Sequence, residues 1–582
     1  MRMMLTAAAG AAVALHSAQA QTAADWSVLE RARTNVAKPT STAISVADLR
    51  SRLFLFADDS MRGRVLGDRG NVMGTKYIAA ELKRLGLEPA GENGSYFQLV
   101  PIIERGFDES VKISVGGRPL VAWKDYLMRD QGAGQRSIDG VPTVYGGVWG
   151  VQSRMISSDA AAGKVVIVSV QPGENGSGIQ GLPNRQRVGA YFEKAAGVMV
   201  IALAALPPQA IEAYKQPLGG MKDEAPASVV SYFYVSADAA RAVFNGDLAA
   251  LSPGTAGTPF TGNPTFNETP ARDFVDNPAY NVVGIIRGSD PALRNEFVAI
   301  GAHNDHVGID PEPAAHDSTY VVNHLFRKQG ADEPPPRIAG DDAVSVNAIL
   351  AEIRKKTNGA SARMDSVYNG ADDDGSGSVS VLEMAEYFAG QPVKPKRSML
   401  FIWHVGEEAG LFGSQWFTDH PTVPRESIVA QLNMDMVGRG DASDVTGTTK
   451  DGKQITGSDG YVQLIGSRRL STELGDLVEK VNTTKMHKMA LDYSLDADGH
   501  PQNIYCRSDH YEYARYGIPV VFFTTGGHAD YHQLTDEPQY INYAHMERVV
   551  NLVRDIAVET ANLNRRPLVD KPKPDPKGVC RQ

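Results

Sequence analysis

The stretch "SMLFIWHVGEEAG", residues 398–410, is the starting point for predicting the fold. In it, an apolar run is followed by two adjacent acidic residues. The run "SMLFIW" has the length and the apolar character of a buried strand. Glu407 and Glu408 follow it closely. A buried ionised carboxylate needs a cationic partner, a metal ion or a raised pKa. The stretch is therefore either a solvated loop with two surface acids or the edge of a site that holds a cation.

Apolar segments of the same kind occur on both sides of this stretch. They are "NVVGIIRG" (281–288), "EFVAIGAH" (296–303), "IVAQLNMDMVG" (428–438), "YVQLIGS" (461–467) and "GIPVVFFTTG" (517–526). Helix-like segments such as 378–390 and 472–484 lie between several of them. This alternation predicts an α/β fold with a mainly parallel mixed sheet sandwiched by helices. Such sheets bind their ligands beyond the carboxyl ends of the strands, which is where "HVGEEAG" lies.

Residues with metal-binding side chains follow several of these predicted strands. They are His303 and Asp305 in "AIGAHNDHVG", Asp372, Asp373 and Asp374 in "NGADDDGSGS", Asp435 in "QLNMDMVGRG", and Tyr531 and His532 in "ADYHQLTDEP". Each motif alone is weak, since a strand-end Asp is often a turn former. The "DDDGSG" stretch also lacks the alternating oxygen ligands and the terminal Glu of a calcium-binding EF-hand loop. The joint occurrence at strand ends favours a metal site.

The order of the motifs, H-x-D, D-D-x-S-G, E-E, N-M-D and Y-H, resembles that of the clan MH zinc exopeptidases. This family includes secreted bacterial di-zinc aminopeptidases and glutamate carboxypeptidase II. The resemblance implies two Zn²⁺ ions per chain with Asp373 as the bridging ligand. His303 and Asp435 would complete the ligands of one ion, and Glu408 and His532 those of the other. Imidazole and carboxylate groups are ligands that suit zinc.

The resemblance also implies roles for three further side chains. Glu407 would be the general base for a metal-bound water nucleophile. Asp305 would orient the ring of His303 through its other nitrogen, unless it only forms a turn. Tyr531 would help to stabilise the oxyanion, unless it is a packing aromatic. Four further histidines are expected to support the site or the fold: His306, His404, His510 and His528.

The family's activity is the hydrolysis of terminal peptide bonds, so we expect peptide substrates. An aminopeptidase is our first expectation. A carboxypeptidase or dipeptidase is an alternative that needs a cationic pocket, for which Arg439 and Arg507 are candidates. A glutaminyl cyclase with a single zinc and a non-enzymatic binding protein are further alternatives. The complete set of five ligands and the glutamate pair favour a hydrolase over both.

The composition and the N-terminal sequence limit the possible partners and the cellular location of the protein. A net charge of −10 and a pI near 5.8 argue against a nucleic-acid partner. Residues 1–20 have the features of a signal peptide, namely Arg2, an apolar stretch and the sequence Ala18-Gln19-Ala20. We expect export to the periplasm or the extracellular space after cleavage near Ala20. No later segment approaches a transmembrane length, so no stable membrane insertion is expected.

A length of 582 residues predicts two or three domains. The predicted parts are an N-terminal segment (21–129) that packs on the peptidase domain, a small β-rich insert (130–268), the peptidase domain (269–570) and a tail (571–582). The insert looks like the protease-associated domain of the family. An insertion at about 310–368, with a predicted helix at 341–357, is expected to form a lid or rim.

Two cysteines, Cys506 and Cys580, are present in the chain. In an oxidising compartment they could form a disulfide that ties the tail to the body of the protein, and two free thiols are the alternative. The sequence does not define the oligomeric state.

Overall fold

A computed structural model describes residues 26–129, 134–171, 182–183, 185–222, 228–330, 333, 336–357, 362–578 and 580–582. The predicted signal peptide, residues 1–20, lies outside the described residues. Within the described part of the chain, every helix is too short or too polar to cross a lipid bilayer.

A mixed sheet of nine strands forms the centre of the peptidase domain. Its four central strands, Ser398–His404, Phe297–His303, Ile428–Met434 and Val520–Thr524, run parallel. The outer strands are Glu88–Pro89, Phe97–Leu99 and Tyr280–Ile286 on one side, and Tyr461–Ile465 and Ala490–Asp492 on the other. The neighbours on either side of the central four are antiparallel to them. The predicted mixed, mainly parallel sheet is therefore confirmed.

Both faces of this sheet are covered. Alternate residues of the strand Ser398–His404 enter two separate apolar cores: Met399, Phe401 and Trp403 one, and Leu400 and Ile402 the other. The first core is closed by the helices Val46–Phe56, Arg69–Arg84, Gly377–Gly390, Thr472–Thr484 and Tyr543–Asn562. The second is closed by Phe412–Asp419 and His510–Ala514. Burial on both faces explains why the central strands are continuous apolar runs rather than alternating ones.

A second sheet of six strands forms a separate unit, in the order Ala256–Gly257, Thr143–Val148, Val165–Ser169, Gly197–Ile201, Ser231–Val235 and Tyr126–Arg129. Two three-stranded sheets accompany it: Leu218–Met221, Ile102–Phe107 and Phe266–Pro270, and Phe260–Thr261, Ile113–Val115 and Arg118–Leu120. Its helices are Ser158–Ala161, Arg185–Tyr191, Pro208–Lys215 and Ala237–Phe244, and Arg272–Asp276 follows the unit.

The paired strands of this unit begin before the predicted boundary at residue 130. The strand Tyr126–Arg129 is the edge of the six-stranded sheet, and Ile102–Phe107 pairs with Phe266–Pro270 at the exit of the unit. The stretch 251–270 contributes short strands to all three sheets. Its Pro, Gly and Thr residues separate strands of two to five residues, which are too short to give a clear periodicity.

The insertion consists of a two-stranded sheet and two helices. The strands Ile309–Ala315 and Met364–Val367 pair, and the helices His316–Phe326 and Asp341–Lys356 lie between them in the chain. Four buried residues form its own small apolar core: Val321, Val346, Leu350 and Ile353. The last three belong to the helix that the sequence predicts at 341–357.

The C-terminal tail is covalently joined to the domain. The structure pairs Cys506 with Cys580 in a disulfide with a Cα–Cα distance of 5.8 Å. The side chain of Gln582 also contacts the body, since its Nε2 donates to the carbonyl of Ala497 at 3.2 Å. This is the tail-to-body link that the sequence analysis proposed as one of two alternatives.

Candidate metal centre

The carboxyl ends of the four central strands meet at one edge of the sheet and bring the candidate residues together. His303 is the last residue of its strand, and Asp435 directly follows the strand Ile428–Met434. Glu407 and Glu408 lie in the turn after the strand Ser398–His404. His532 comes from the loop that follows the fourth strand.

The three consecutive aspartates lie in the fully buried turn Ala371–Ser376 and have different partners. The Asp374 carboxylate accepts hydrogen bonds from the backbone N–H groups of His303 at 3.1 Å and Met436 at 3.2 Å. The Asp372 carboxylate accepts one from the N–H of Gly438 at 2.6 Å. These two acids tie the turn to the neighbouring strands, and Asp373 is the one that faces His303, His306 and His532.

A first group of metal-capable side chains consists of His303, Asp373 and Asp435, all buried. The Nε2 atom of His303 lies 3.2 Å from Asp373 Oδ1 and 3.7 Å from Asp435 Oδ1. The Asp435 carboxylate is held by Ser508, whose hydroxyl donates to Oδ2 at 2.7 Å. The ligand atoms of the group all lie within 4.8 Å of one another, which is close enough for a single ion.

A second group consists of His306, Asp373, Glu408 and His532. The Nε2 atom of His532 lies 3.0 Å from Asp373 Oδ2 and 3.0 Å from Glu408 Oε2. His306 Nδ1 lies 2.8 Å from Glu408 Oε1 and 3.7 Å from Asp373 Oδ2. Asp373 is the member shared by both groups, and it presents one carboxylate oxygen to each.

His306 is the residue of this centre that the sequence reasoning left out. It was expected only to support the site, but its imidazole is fully buried and belongs to the second group. Its Nε2 atom has no hydrogen-bond partner within the part of the chain that the structure describes. The signal in the sequence was its position directly after His303-x-Asp305, because a second imidazole at the same strand end reaches the same space.

The electrostatics of the centre favour bound cations. Burial raises the pKa of Glu407 well above its ordinary value, and the nearby carboxylates of Asp435 and Glu408 add to this increase. Burial lowers the pKa of His532, but its hydrogen bonds to Asp373 and Glu408 outweigh this effect and raise the pKa to about 10. Several carboxylates thus share a buried space with imidazoles, and this combination of ligands fits zinc.

Asp305 lies close to His303 and to the backbone of the glutamate pair. Its carboxylate accepts hydrogen bonds from the backbone N–H groups of Glu407 at 3.1 Å and Glu408 at 3.4 Å. Its Oδ1 atom lies 3.6 Å from His303 Nδ1, which is longer than a hydrogen bond. Asp305 therefore fixes the backbone of the glutamate pair directly, and its orienting role toward His303 stays a prediction.

Glu407 and Tyr531 line the cavity beside the two groups. Among the described residues, Glu407 belongs to none of the metal-capable groups, so its carboxylate is available for another task. The ring of Tyr531 stacks on that of His532 with a centroid distance of 3.9 Å. Burial raises the pKa of the Tyr531 hydroxyl well above its ordinary value, which keeps it protonated.

The cavity has a volume of about 380 Å³. Its lining includes acidic and histidine side chains of the centre and the apolar residues Leu411, Met436, Leu495, Ile504 and Phe522. Gly330, from the insertion, also lines the cavity.

The two candidate cations lie in different places. Arg507 lines the cavity. Arg439 is buried and lies 3.1 Å from Asp530 Oδ2 and 3.8 Å from Asp444 Oδ1. Of these two arginines, Arg507 is therefore the one that lines the cavity.

The remaining histidines near the motifs contact other protein groups. His404 Nε2 lies 2.9 Å from the hydroxyl of Tyr513, and His528 Nε2 lies 3.2 Å from Asp372 Oδ2. Burial lowers the pKa of His510 to about 3, so its imidazole is neutral. These positions agree with supporting roles.

A third group, His316, Asp365 and Glu537, lies in and beside the insertion. Here the guanidinium of Arg363 pairs with both carboxylates. His316 Nε2 lies 2.9 Å from the hydroxyl of Tyr540. The charges of this group are already neutralised by protein atoms, so it does not require a metal ion.

Comparisons with known proteins agree with this geometry. Residues 281–557 match the sequence profile of peptidase family M28. Leucine aminopeptidase 1 of Coccidioides posadasii (strain C735) is 30% identical over 201 residues, which are 33% of this chain and 47% of that protein. Leupeptin-inactivating enzyme 1 of Streptomyces exfoliatus is 38% identical over 82 residues, which are 14% of this chain and 19% of that protein. The chain spans about half the length of the curated relatives that it matches first.

Solved structures that are similar to this chain include an aminopeptidase from Aneurinibacillus sp. strain AM-1. Its sequence identity is 15%, the match covers 91% of this chain and 97% of that chain, and the TM-score is 0.43. A zinc aminopeptidase from Bacillus subtilis has 15% identity, 90% and 96% coverage and a TM-score of 0.42. The matched residues 281–557 contain both metal-capable groups that share Asp373. The resemblance predicted from the motifs is confirmed by the match of residues 281–557 to peptidase family M28.

Proposed function

We propose that this chain is an exported di-zinc aminopeptidase that hydrolyses the N-terminal peptide bond of peptides. The observation that carries the proposal is the pair of metal-capable groups that share Asp373 at the border of a cavity, with Glu407 beside them. The family match supports a peptidase, and the relative from Coccidioides posadasii is named leucine aminopeptidase 1. The disulfide between Cys506 and Cys580 supports an oxidising compartment.

Five side chains would hold two zinc ions. His303 and Asp435 would hold one, Glu408 and His532 the other, and Asp373 would contribute one oxygen to each. His306 lies close enough to Glu408 to orient its carboxylate or to complete the second set. When bound, zinc acts as a Lewis acid that lowers the pKa of a water molecule and polarises the substrate carbonyl.

Glu407 would move the proton during the reaction. Its carboxylate lines the cavity next to both groups, and its backbone is fixed by Asp305, so the side chain starts from a defined position. It would accept a proton from the attacking water and deliver it to the nitrogen of the leaving amine. The two glutamates would therefore have different tasks. The carboxylate of Glu408 contacts His306 and His532, whereas Glu407 belongs to no metal-capable group among the described residues.

Tyr531 would stabilise the negative charge that develops on the carbonyl oxygen. Its hydroxyl stays protonated and its ring is held against His532, so it can donate a hydrogen bond to the oxyanion. The apolar lining residues Met436 and Phe522 would receive an apolar terminal side chain of the substrate. The small β-rich unit is proposed to be a protease-associated domain.

A second candidate function is a carboxypeptidase or dipeptidase. The observation that favours it is the position of Arg507 in the cavity wall, where a guanidinium could pair with a substrate carboxylate. Glutaminyl cyclase activity would need only one zinc, and the shared Asp373 argues for two.

Substrate comparison tests the proposal. The full chain, loaded with zinc, should hydrolyse leucine p-nitroanilide but not its N-acetylated form, because an aminopeptidase requires the free amine. The reverse preference, with cleavage of N-blocked dipeptides, would establish the carboxypeptidase alternative. Cyclisation of an N-terminal glutamine with a single bound zinc would establish the cyclase instead.

A further inference from the structure

The insertion contacts the loop that carries Tyr531 and His532. His324, in the helix His316–Phe326, lies with its Nε2 atom 2.9 Å from Asp530 Oδ2. The Asp530 side chain is fully buried, and that of His324 is 14% exposed. The ring of Tyr320 stacks on the ring of His324 with a centroid distance of 4.0 Å. The imidazole is thus held in place on one side by an aromatic ring and on the other by a carboxylate.

Asp530 is the anchor of this loop. Its carboxylate also accepts a hydrogen bond from the hydroxyl of Thr535 at 2.6 Å and one from Arg439 Nη2 at 3.1 Å. The Thr535 bond closes the segment 530–535 on itself. His324 is the partner of Asp530 that comes from the insertion, 206 residues away in the chain.

The loop needs such support because of its backbone. His532 has a φ of +54°, which lies in the left-handed region that a residue with a side chain rarely adopts. A conformation of this kind costs of the order of 1 kcal/mol or more and persists only when the surrounding structure imposes it. The imidazole position of His532 therefore depends on contacts that the loop makes elsewhere.

The same segment also holds the shared carboxylate. Asp536 accepts hydrogen bonds from the backbone N–H groups of Asp372 at 2.9 Å and Asp373 at 3.1 Å. Because Asp372 and Asp374 also tie this turn to the neighbouring strands, a displacement of the segment 530–536 would move His532 more than Asp373. Within the described residues, the hydrogen bonds of His303 and Asp435 are made with residues outside this segment.

We propose that His324 is a positioning residue for the ion site formed by Glu408 and His532. The insertion would then contribute to the geometry of the metal centre as well as to the rim of the cavity. The inference rests on the proposed zinc sites. It concerns the second of the two groups, because His532 belongs to that group alone. The helix His316–Phe326 would fix Asp530, and Asp530 would fix the loop that presents His532.

Zinc binding to chelator-treated full-length protein tests this inference without reference to activity. In His324→Ala, calorimetric titration with zinc should show one of two binding steps weakened by about tenfold, the lower end of the effect expected when a supporting contact of a ligand is lost. In His324→Gln, part of the affinity should return, because the amide N–H can still donate to Asp530. Hydrogen exchange in the segment 530–537 should be faster in zinc-free His324→Ala than in the wild type.

His487→Ala is the matched control. It breaks a histidine–aspartate contact of the same length, 2.9 Å between His487 Nε2 and Asp555 Oδ2, at residues that do not line the cavity. Both zinc affinities should stay unchanged in this variant. Unchanged zinc affinities in His324→Ala and in His324→Asn, whose shorter side chain does not reach Asp530, would overturn the inference. A wild-type chain that binds no zinc would overturn the metal centre itself, and this result is distinguishable from the first.

Discussion

Two buried clusters of histidine and carboxylate side chains in this molecule have similar composition but different surroundings. In the cluster of His316, Asp365 and Glu537, Arg363 pairs with both acids. In the centre around Asp373, the ion pairs of Asp373 within the described residues are all with histidines. The comparison teaches that the ligand types alone do not define a metal site. What distinguishes the second cluster is that, within the described residues, Asp373, Glu408 and Asp435 form their ion pairs with histidines rather than with an arginine.

The largest effect is expected from Asp373→Ala. This change removes the carboxylate shared by both groups, so zinc content should fall from two ions per chain to one or none. The loss of several kcal/mol of transition-state stabilisation corresponds to a decrease in kcat/KM of about a thousandfold or more. Metal analysis after dialysis and the hydrolysis rate measure the two effects. Two ions retained with normal activity would remove Asp373 from its bridging role.

Glu407→Gln should separate proton transfer from metal binding. The amide cannot accept the proton, so kcat should decrease about 10²- to 10⁴-fold. The zinc content should stay at the wild-type value, because Glu407 belongs to neither group. Glu408→Gln is the matched comparison, since it should lower both zinc content and activity. Normal turnover in Glu407→Gln would show that another group is the base.

Arg363→Ala should leave the buried carboxylates of Asp365 and Glu537 without their arginine partner. Removing one partner of a buried ion pair leaves Asp365 and Glu537 uncompensated, which destabilises the fold by roughly 3 kcal/mol. Thermal unfolding in the presence of a chelator measures this loss. Adding zinc should then restore part of the stability in the variant through the third group, with no such increment in the wild type. Absence of any destabilisation would mean that Arg363 is not the neutralising partner.

The smallest effect is expected from Ser508→Ala. This substitution removes the hydroxyl that donates to Asp435 Oδ2 at 2.7 Å. Zinc affinity should decrease about tenfold, and only for the ion held by His303 and Asp435. The variant thus complements His324→Ala, which should affect the other ion. Equal weakening of both ions in both variants would show that the two sites are not separable.

Four of the candidate ligands, His303, Glu408, Asp435 and His532, come after apolar runs that are visible in the sequence, and the structure brings their side chains together with Asp373. The helix-covered sheet was predictable for the same reason. Among the described residues, Glu408 belongs to a metal-capable group and Glu407 does not, and the roles that the family resemblance implies for the pair stay predictions.

Other features depend on contacts between distant parts of the chain and carry no local pattern. The membership of His306 in the second group depends on the direction of its ring, which the sequence does not encode in any periodicity. The choice between Arg439 and Arg507 required the cavity, because both lie near motifs in the sequence. The contact between His324 and Asp530 joins residues 206 positions apart. The boundary of the β-rich unit was placed too late because its first strands are short.

The most direct test of the central claim is a crystal structure of the zinc-loaded full chain with anomalous scattering measured at the zinc edge. We expect two peaks, one on each side of Asp373, with no peak at His316, Asp365 and Glu537. A single peak, or a peak in the cluster that Arg363 neutralises, would contradict the account.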